Sequence, residues 1–188
     1  MAAPPKTVTD IADVIAHDHW RMGILRTVAA LELPDWAIGA GFVRAAVWDS
    51  LSNKRVRTPL PDIDVLYFDR ENTLPARDLE LEIMLAEAGP GMPWSVKNQA
   101  RMHTRNTDSP YCNTTDALSY WLETATCVAA RLNEQGCVSI LAPLGIKDLL
   151  EFRVRPTASA RTKMDQYRAR MAAKNWAGSW PHLIVEEI

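Results

Sequence analysis

Asp62 and Asp64 stand one residue apart in the segment "PDIDVLYF", directly before a run of apolar and aromatic residues. In a strand, residues i and i+2 point to the same face, so the two carboxylates project side by side. Like charges this close repel each other, and a carboxylate pair suits Mg²⁺ whose other ligands are waters and phosphates. Alternatively, Asp62 is a turn residue after Pro61 and Asp64 lies on an exposed strand edge. The apolar run favours the metal site, because charge at the mouth of a buried strand needs a partner.

A second candidate feature is the turn that contains Gly39 and Gly41, just before a helical pattern that begins near Phe42. Glycine lets the backbone approach a ligand closely, and a helix N-terminus attracts anions such as phosphate. An anion at the helix and a metal at the strand together predict a nucleoside triphosphate site. Two other glycine motifs do not fit, because a dinucleotide fingerprint needs glycine where Arg44 stands and a P-loop needs Gly-Lys-Ser/Thr.

A third feature is the alternating segment 94–103, which we predict to be a strand with two different faces. One of these faces would carry Lys97, Gln99, Arg101 and His103. Lys97 and Arg101 are therefore candidates for contacts with phosphate or nucleic acid. An exposed sheet face explains the same alternation equally well.

The elements that must position these residues follow from periodicity, caps and turn signals. Helical patterns occupy 7–32 (as one helix or two), 42–51, 77–87, 114–121, 146–150 and 160–176. Strand patterns occupy part of 33–41, 62–68, 94–103, 152–156 and a hairpin within 126–143. Strands interleaved with helices, and joined partly by a hairpin, predict an α/β (α+β) fold with a mixed β-sheet and flanking helices.

Composition limits the remaining possibilities. A chain of 188 residues with 47% hydrophobic content predicts one domain, 1–188. The formal net charge of -2 excludes an overall polyanion-binding character. Three scattered cysteines without metal-ligand spacing predict buried thiols in a reducing compartment. The sequence shows neither a leader pattern nor a membrane-spanning run, so we expect a cytoplasmic protein without a membrane partner.

The segment "GAGFVRAAVWDSL" followed by "DID" resembles the nucleotidyltransferase superfamily with the DNA polymerase β-like fold. It is most similar to the head domain of CCA-adding enzymes and poly(A) polymerases, whose pattern is Gly-Gly-x-Val-Arg-Asp, a helix, and Asp-x-Asp. The whole chain, including "WSVKNQARMH" and "LAPLGIKDLL", resembles a bacterial family of nucleotidyltransferase-like proteins.

This resemblance implies a role for each matching residue. Gly39 and Gly41 would line the triphosphate of an NTP, Arg44 would contact a phosphate or brace the helix, and Asp62 and Asp64 would hold Mg²⁺, with Mn²⁺ as an alternative. It further implies an enzyme that moves an NMP from the NTP to a hydroxyl acceptor, which is an RNA, a protein or a small molecule.

The chain departs from the superfamily pattern at two positions. Ala45 replaces the aspartate that follows the arginine, and Asn98 stands where many members carry a third carboxylate. Because a neutral amide binds the metal that activates the acceptor less well, the alternative is a nucleotide-binding protein with little or no transferase activity. Asp116 or Glu123 could supply the missing charge if the fold brings either residue to the sheet.

Overall fold

The computed structural model describes residues 4–186, which begin with two helices, α1 (Val8–Ala16) and α2 (His19–Ala29). Thr7 caps α1 through a capping box with Asp10, and Asp18 caps α2 by accepting the backbone N–H of Trp20 at 3.0 Å. The apolar face of this helix pair is buried in the main hydrophobic core. The predicted opening helices are therefore confirmed as two separate elements.

The central sheet has five strands: β1 (Ala37–Gly39), β2 (Ile63–Tyr67), β3 (Trp94–Asn98), β4 (Ala129–Leu132) and β5 (Val138–Leu141). Their order in the sheet is β3-β2-β1-β4-β5. Only β2 and β3 pair in parallel, and the other neighbours are antiparallel. The predicted mixed sheet and the predicted hairpin are both confirmed.

Helix α3 (Gly41–Leu51) connects the central strand β1 to β2. Every residue from Gly41 to Asp49 is buried, so this helix has no solvent face over most of its length. One reason is the indole of Trp48, which donates a hydrogen bond to the carbonyl of Leu149 at 2.9 Å. Helix α3 packs against elements on both sides of it in the sequence, including α1 and the segment around Leu149, so no local pattern predicts its complete burial.

Three helices lie between β2 and β4 in the sequence: α4 (Pro75–Ala88), α5 (Gln99–Asn106) and α6 (Thr114–Ser119). The predicted strand 94–103 is wrong in its second half. Strand β3 ends at Asn98, whose side-chain oxygen accepts the N–H of Ala100 at 3.0 Å and thereby starts α5. Lys97 and Arg101 therefore lie on different elements, and the predicted basic strand face does not exist.

The C-terminal third contains a 3-10 turn (Thr124–Thr126), α7 (Lys147–Leu150) and β6 (Arg153–Val154) before its last helices. The predicted helix 160–176 is wrong as one element, because the chain forms a 3-10 turn (Ala160–Thr162), α8 (Met164–Ala173) and α9 (Trp176–Ser179). A last strand, β7 (Ile184–Val185), pairs in parallel with β6.

Two buried contacts hold these final helices in place. The single hydroxyl proton of Tyr167 is shared between the backbone carbonyls of Val154 and Glu186, whose oxygens lie 3.2 and 2.9 Å from the hydroxyl oxygen. The ring of Trp180 packs edge-on against Trp48 with centroids 4.9 Å apart. The C-terminal segment is thus docked on α3.

Two composition-based expectations can be compared with the fold. Cys127 is buried, but Cys112 and Cys137 are exposed, so the expectation of three buried thiols is wrong for those two. Within residues 4–186, no helix is both long enough and apolar enough to cross a membrane.

Candidate active site

The aspartate pair lies at the start of β2. Asp64 is the second residue of β2, and Asp62 is the last residue before this strand. Ile63, between them, is completely buried on the opposite face. Both aspartates are partly buried, and both line one cavity of about 250 Å³. The fold therefore brings the two carboxylates to a common space, as the sequence predicts.

The N-terminus of α3 borders the same cavity through Ala40 and Gly41. Within the described chain, no side chain caps this helix, so N–H groups of its first turn remain available to a ligand. The N-cap residue Ala40 has φ 47° and ψ -115°, a conformation that costs a non-glycine residue roughly 1–3 kcal/mol. The N–H of Ala40 is held by the carbonyl of Val128 at 3.0 Å. The strained turn thus lies at the cavity wall.

The two glycines of this turn have different surroundings. A Cβ atom on Gly41 would have its nearest neighbours at 3.7 Å, so this residue leaves space beside the cavity. A Cβ atom on Gly39 would lie 2.8 Å from Cη2 of Trp121 and 3.1 Å from Cδ1 of Leu66. Gly39 is therefore required for packing against Trp121, and it does not line the cavity that the aspartates share.

Arg44, on the first turns of α3, is a buried cation of this cavity with 7% of its surface exposed. Its guanidinium lies 4.2 Å from the ring centroid of Trp176 and 5.4 Å from that of Trp48. Among the described residues, its Nε and Nη1 atoms have no hydrogen-bond partner. Burial lowers the pKa of Arg44 to about 10, against the opposing effect of Glu123. A buried guanidinium with unpaired N–H groups is suited to bind an anion.

Two further cations, which local sequence patterns do not single out, come from helix α8 and from the residue directly after it. Arg170 and Lys174 lie one helical turn apart and both line the cavity beside Asp64. Arg170 forms an ion pair with the buried Glu123, whose other oxygen accepts the hydroxyl of Thr126 at 2.8 Å. The basic character of 160–176 was the available signal, but nothing local distinguished these two positions from a solvated helix face.

The electrostatics of the aspartate pair favour a bound cation. Burial, and then the neighbouring charge of Asp62, raise the pKa of Asp64 to about 6, although Arg170, Arg44 and Lys174 act in the opposite direction. Within residues 4–186 no cluster of three or more His, Cys, Asp or Glu side chains is arranged to hold a metal. A divalent ion would therefore take two protein carboxylates and complete its shell with water and phosphate oxygens, which is the binding mode typical of Mg²⁺.

Lys97 and Arg101 are not brought to the aspartates. The ammonium of Lys97 lies 2.9 Å from a carboxylate oxygen of Glu82, and Arg101 pairs with the buried Asp78. Neither residue is part of the cavity wall formed by the α3 N-terminus and the aspartates. We therefore leave both outside the site that we propose.

Asn98 does not occupy the place of a third metal ligand. In the parallel pairing of β2 and β3, Asp64 is the register partner of Ser95, and Asn98 lies three residues farther along β3. At about 3.3 Å per residue, Asn98 is therefore displaced from Asp64 by about 10 Å along the strand direction. Its amide donates to the carbonyls of Asp69 and Asn72, at 2.7 and 2.9 Å. The Asn98 side chain therefore holds the loop after β2.

The other two acidic candidates differ in position. The carboxylate of Asp116 accepts a hydrogen bond from the backbone N–H of Cys112 at 2.8 Å, and Asp116 lies in the first turn of α6. Glu123 is almost fully buried and borders, together with Asp64 and Arg170, a second cavity. The fold thus brings Glu123, but not Asp116, to the neighbourhood of the aspartate pair.

A mixed sheet that carries an aspartate pair beside an uncapped helix N-terminus defines a nucleotidyltransferase-like protein. The chain belongs to a nucleotidyltransferase family, whose sequence model matches residues 26–185. A solved structure described as revealing a CCA-adding enzyme head domain is 32% identical to this chain, with a TM-score of 0.86. The match covers 100% of this chain and 98% of that one.

More distant structures share the fold alone. The CCA-adding enzyme of Thermotoga maritima, solved with tRNA, is 16% identical with a TM-score of 0.57. A CCA-adding enzyme in complex with CTP is 15% identical with a TM-score of 0.56. This chain spans 43% and 44% of the lengths of these two proteins. No curated protein sequence matches the chain.

Proposed function

We propose that this protein transfers a nucleoside monophosphate from an NTP to a hydroxyl acceptor in a reaction that depends on a divalent metal. One observation carries the proposal: the aspartates Asp62 and Asp64, the uncapped N-terminus of α3 and the cationic side chain of Arg44 all line one cavity. Metal ligands and anion ligands thus converge on a space that a triphosphate can enter.

The triphosphate would bind along the cation-rich side of this cavity. N–H groups of the first turn of α3 point toward it, with the positive end of the helix dipole behind them. Arg44 and Lys174 provide charge for the β- and γ-phosphates, and Arg170 lies close to Asp64, where the α-phosphate would be. These contacts position the substrate and neutralise its charge, which are the principal requirements of phosphoryl-group transfer.

Asp62 and Asp64 would hold the metal, Mg²⁺ or alternatively Mn²⁺. When bound, such an ion polarises phosphate oxygens and lowers the pKa of an attacking hydroxyl. In the transfer itself the acceptor oxygen bonds to the α-phosphorus while the bond from that phosphorus to the bridging oxygen breaks. Pyrophosphate leaves, and the acceptor loses its proton. The acceptor is any hydroxyl that reaches Asp64, on an RNA, a protein or a small molecule.

The alternative, a nucleotide-binding protein with little or no transferase activity, depends on Asn98 being a weakened metal ligand. The position of Asn98, about 10 Å along the strand direction from Asp64, removes that reason. The ion pair with the buried Glu123 additionally holds Arg170 beside Asp64, where the two cavities meet. Both observations support the enzyme.

The direct test is incubation of the protein with α-labelled NTPs, Mg²⁺ and fractionated cell extract, followed by separation of labelled products of every size. We expect a labelled product and release of pyrophosphate. Asp64→Asn should abolish both, whereas Asp165→Asn, a matched change at an exposed carboxylate of α8, should leave both unchanged. Transfer that continues at the wild-type rate in Asp64→Asn would contradict the proposal.

A further inference from the structure

A second cavity, of about 240 Å³, meets the first one at Asp64 and Arg170. Segments that are distant in the sequence line it, because α5, the end of α6 and α8 converge here. Its remaining wall consists of Asn106, Tyr120, Trp121, Leu122, Lys163 and Gln166, beside the buried Glu123. Two aromatic rings, one apolar side chain and two amides thus form this part of the wall.

Both cations of this second cavity are already paired with carboxylates of the protein. Lys163 forms a buried ion pair with Asp108, and Arg170 pairs with Glu123. In the phosphate cavity, by contrast, Arg44 has unpaired N–H groups. A polyphosphate therefore gains more in the first cavity, and a neutral polar molecule with a flat face fits the second.

We propose that the second cavity binds the nucleoside of the NTP, with Gln166 as a residue that recognises the base. This inference rests on the proposed function, since it takes the α-phosphate to lie at Asp64. The nucleoside is covalently attached to that phosphate, so it must begin where the two cavities meet. The space that continues from this junction, away from the α3 N-terminus, is the second cavity.

The aromatic wall is held rigidly enough to present a surface to a base. Trp121 packs against Gly39, which has no side chain, and the carbonyl of Trp121 accepts the hydroxyl of Thr157 at 2.6 Å. Tyr120 packs on Tyr111 with ring centroids 4.9 Å apart. Aromatic faces bind any base by stacking, so discrimination between bases requires polar groups.

Gln166 is the polar group best suited to discriminate. A side-chain amide offers both a donor and an acceptor, and can therefore pair with the edge of a base. Asn106 also lines the cavity, but its amide nitrogen already donates to the hydroxyl of Tyr111 at 3.1 Å. Gln166 lies on α8, four residues before Arg170, so base recognition and α-phosphate contact would come from one helix face.

The experiment compares the affinities of Mg²⁺-NTPs and Mg²⁺-tripolyphosphate by calorimetry, because tripolyphosphate lacks a nucleoside. We expect the wild-type protein to bind its preferred NTP at least about 10-fold more tightly than tripolyphosphate. Gln166→Ala should weaken the binding of that NTP by about 3- to 10-fold, because one hydrogen bond is lost, and should reduce the differences in affinity among the four NTPs. It should leave tripolyphosphate binding unchanged. Gln135→Ala, in the exposed turn of the β4–β5 hairpin, is the matched control and should change neither affinity.

Each other outcome contradicts a specific part of this proposal. If tripolyphosphate binds as well as every NTP, or if Gln166→Ala changes no NTP affinity, the nucleoside is bound elsewhere and the second cavity is then available to the acceptor. If Gln166→Ala weakens tripolyphosphate and NTP equally, the residue acts on the phosphates. If neither ligand binds to the wild-type protein, the proposed function fails, and this inference fails with it.

Discussion

Replacement of Asp64 by Asn should stabilise the protein when no metal is present, although Asp64 is central to the proposed site. In the folded protein, burial and the neighbouring charge of Asp62 raise the pKa of Asp64 from 3.8 to about 6. The folded state therefore binds a proton more tightly than the unfolded chain does. The free energy of unfolding must then fall as the pH rises from below 3.8 to above about 6.

The size of the effect follows from the same two pKa values. Each unit of difference corresponds to about 1.4 kcal/mol, so ionisation of Asp64 lowers the free energy of unfolding by about 3 kcal/mol near neutral pH. Asparagine has the shape of the protonated side chain but cannot ionise. Asp64→Asn should therefore exceed the wild-type stability by about 3 kcal/mol at neutral pH and by almost nothing below pH 3.8.

The assay is urea unfolding in the presence of a chelator, at several pH values, for the wild type, Asp64→Asn and the control Asp165→Asn. Other groups that titrate over the same pH range contribute equally to the free energy of unfolding of each variant, so the difference between variants reports Asp64 alone. The control should follow the wild type, because Asp165 is fully exposed. Addition of Mg²⁺ near neutral pH should stabilise the wild type and not Asp64→Asn, since an ion that binds only the folded state raises its stability.

A variant that is less stable than the wild type in chelator at neutral pH would refute this reasoning. So would a stability difference that does not change with pH. The first result would mean that the cations around Asp64 outweigh the effects of burial and of Asp62, and the second that these opposing effects cancel.

Four further substitutions test other parts of the site and its support. Arg44→Met should weaken Mg²⁺-tripolyphosphate binding by about 10- to 100-fold in calorimetry, because charge-assisted hydrogen bonds are lost, while urea unfolding should show no loss of stability. Gly39→Ala should lower the free energy of unfolding by about 1–3 kcal/mol, because the new methyl group would clash with Trp121. Gly41→Ala should leave the free energy of unfolding unchanged or raise it by up to about 1 kcal/mol. Asn98→Asp should lower it by about 3 kcal/mol, since a carboxylate would then face two carbonyl oxygens, and should not increase nucleotidyl transfer.

Each of these expectations has an opposite result that would contradict it. Unchanged tripolyphosphate affinity in Arg44→Met would remove the guanidinium from the phosphate site. Equal stabilities of the two glycine variants would mean that Trp121 moves freely. Increased transfer by Asn98→Asp would return Asn98 to the metal site.

The sequence by itself determined most of the elements and the centre of the site. Apolar periodicity predicts the opening helices, and the β-branched and aromatic run after Asp62 predicts the strand that carries Asp64. These signals are local, because a cap or a strand pattern acts over a few neighbouring residues. For the same reason the positions of the aspartate pair and of the α3 N-terminus could be predicted from residues 39–68 alone.

Only the tertiary structure decided what surrounds that centre. Arg170 reaches Asp64 because Tyr167 and Trp180 dock the C-terminal helices on residues far away in the chain. Gly39 is required by Trp121, a side chain more than eighty positions away, and not by a phosphate. Asn98 ends a strand because the loop after β2 and the start of α5 both use its side chain. Such contacts leave no local pattern in the sequence, since packing and ion pairing join segments whose separation along the chain is arbitrary.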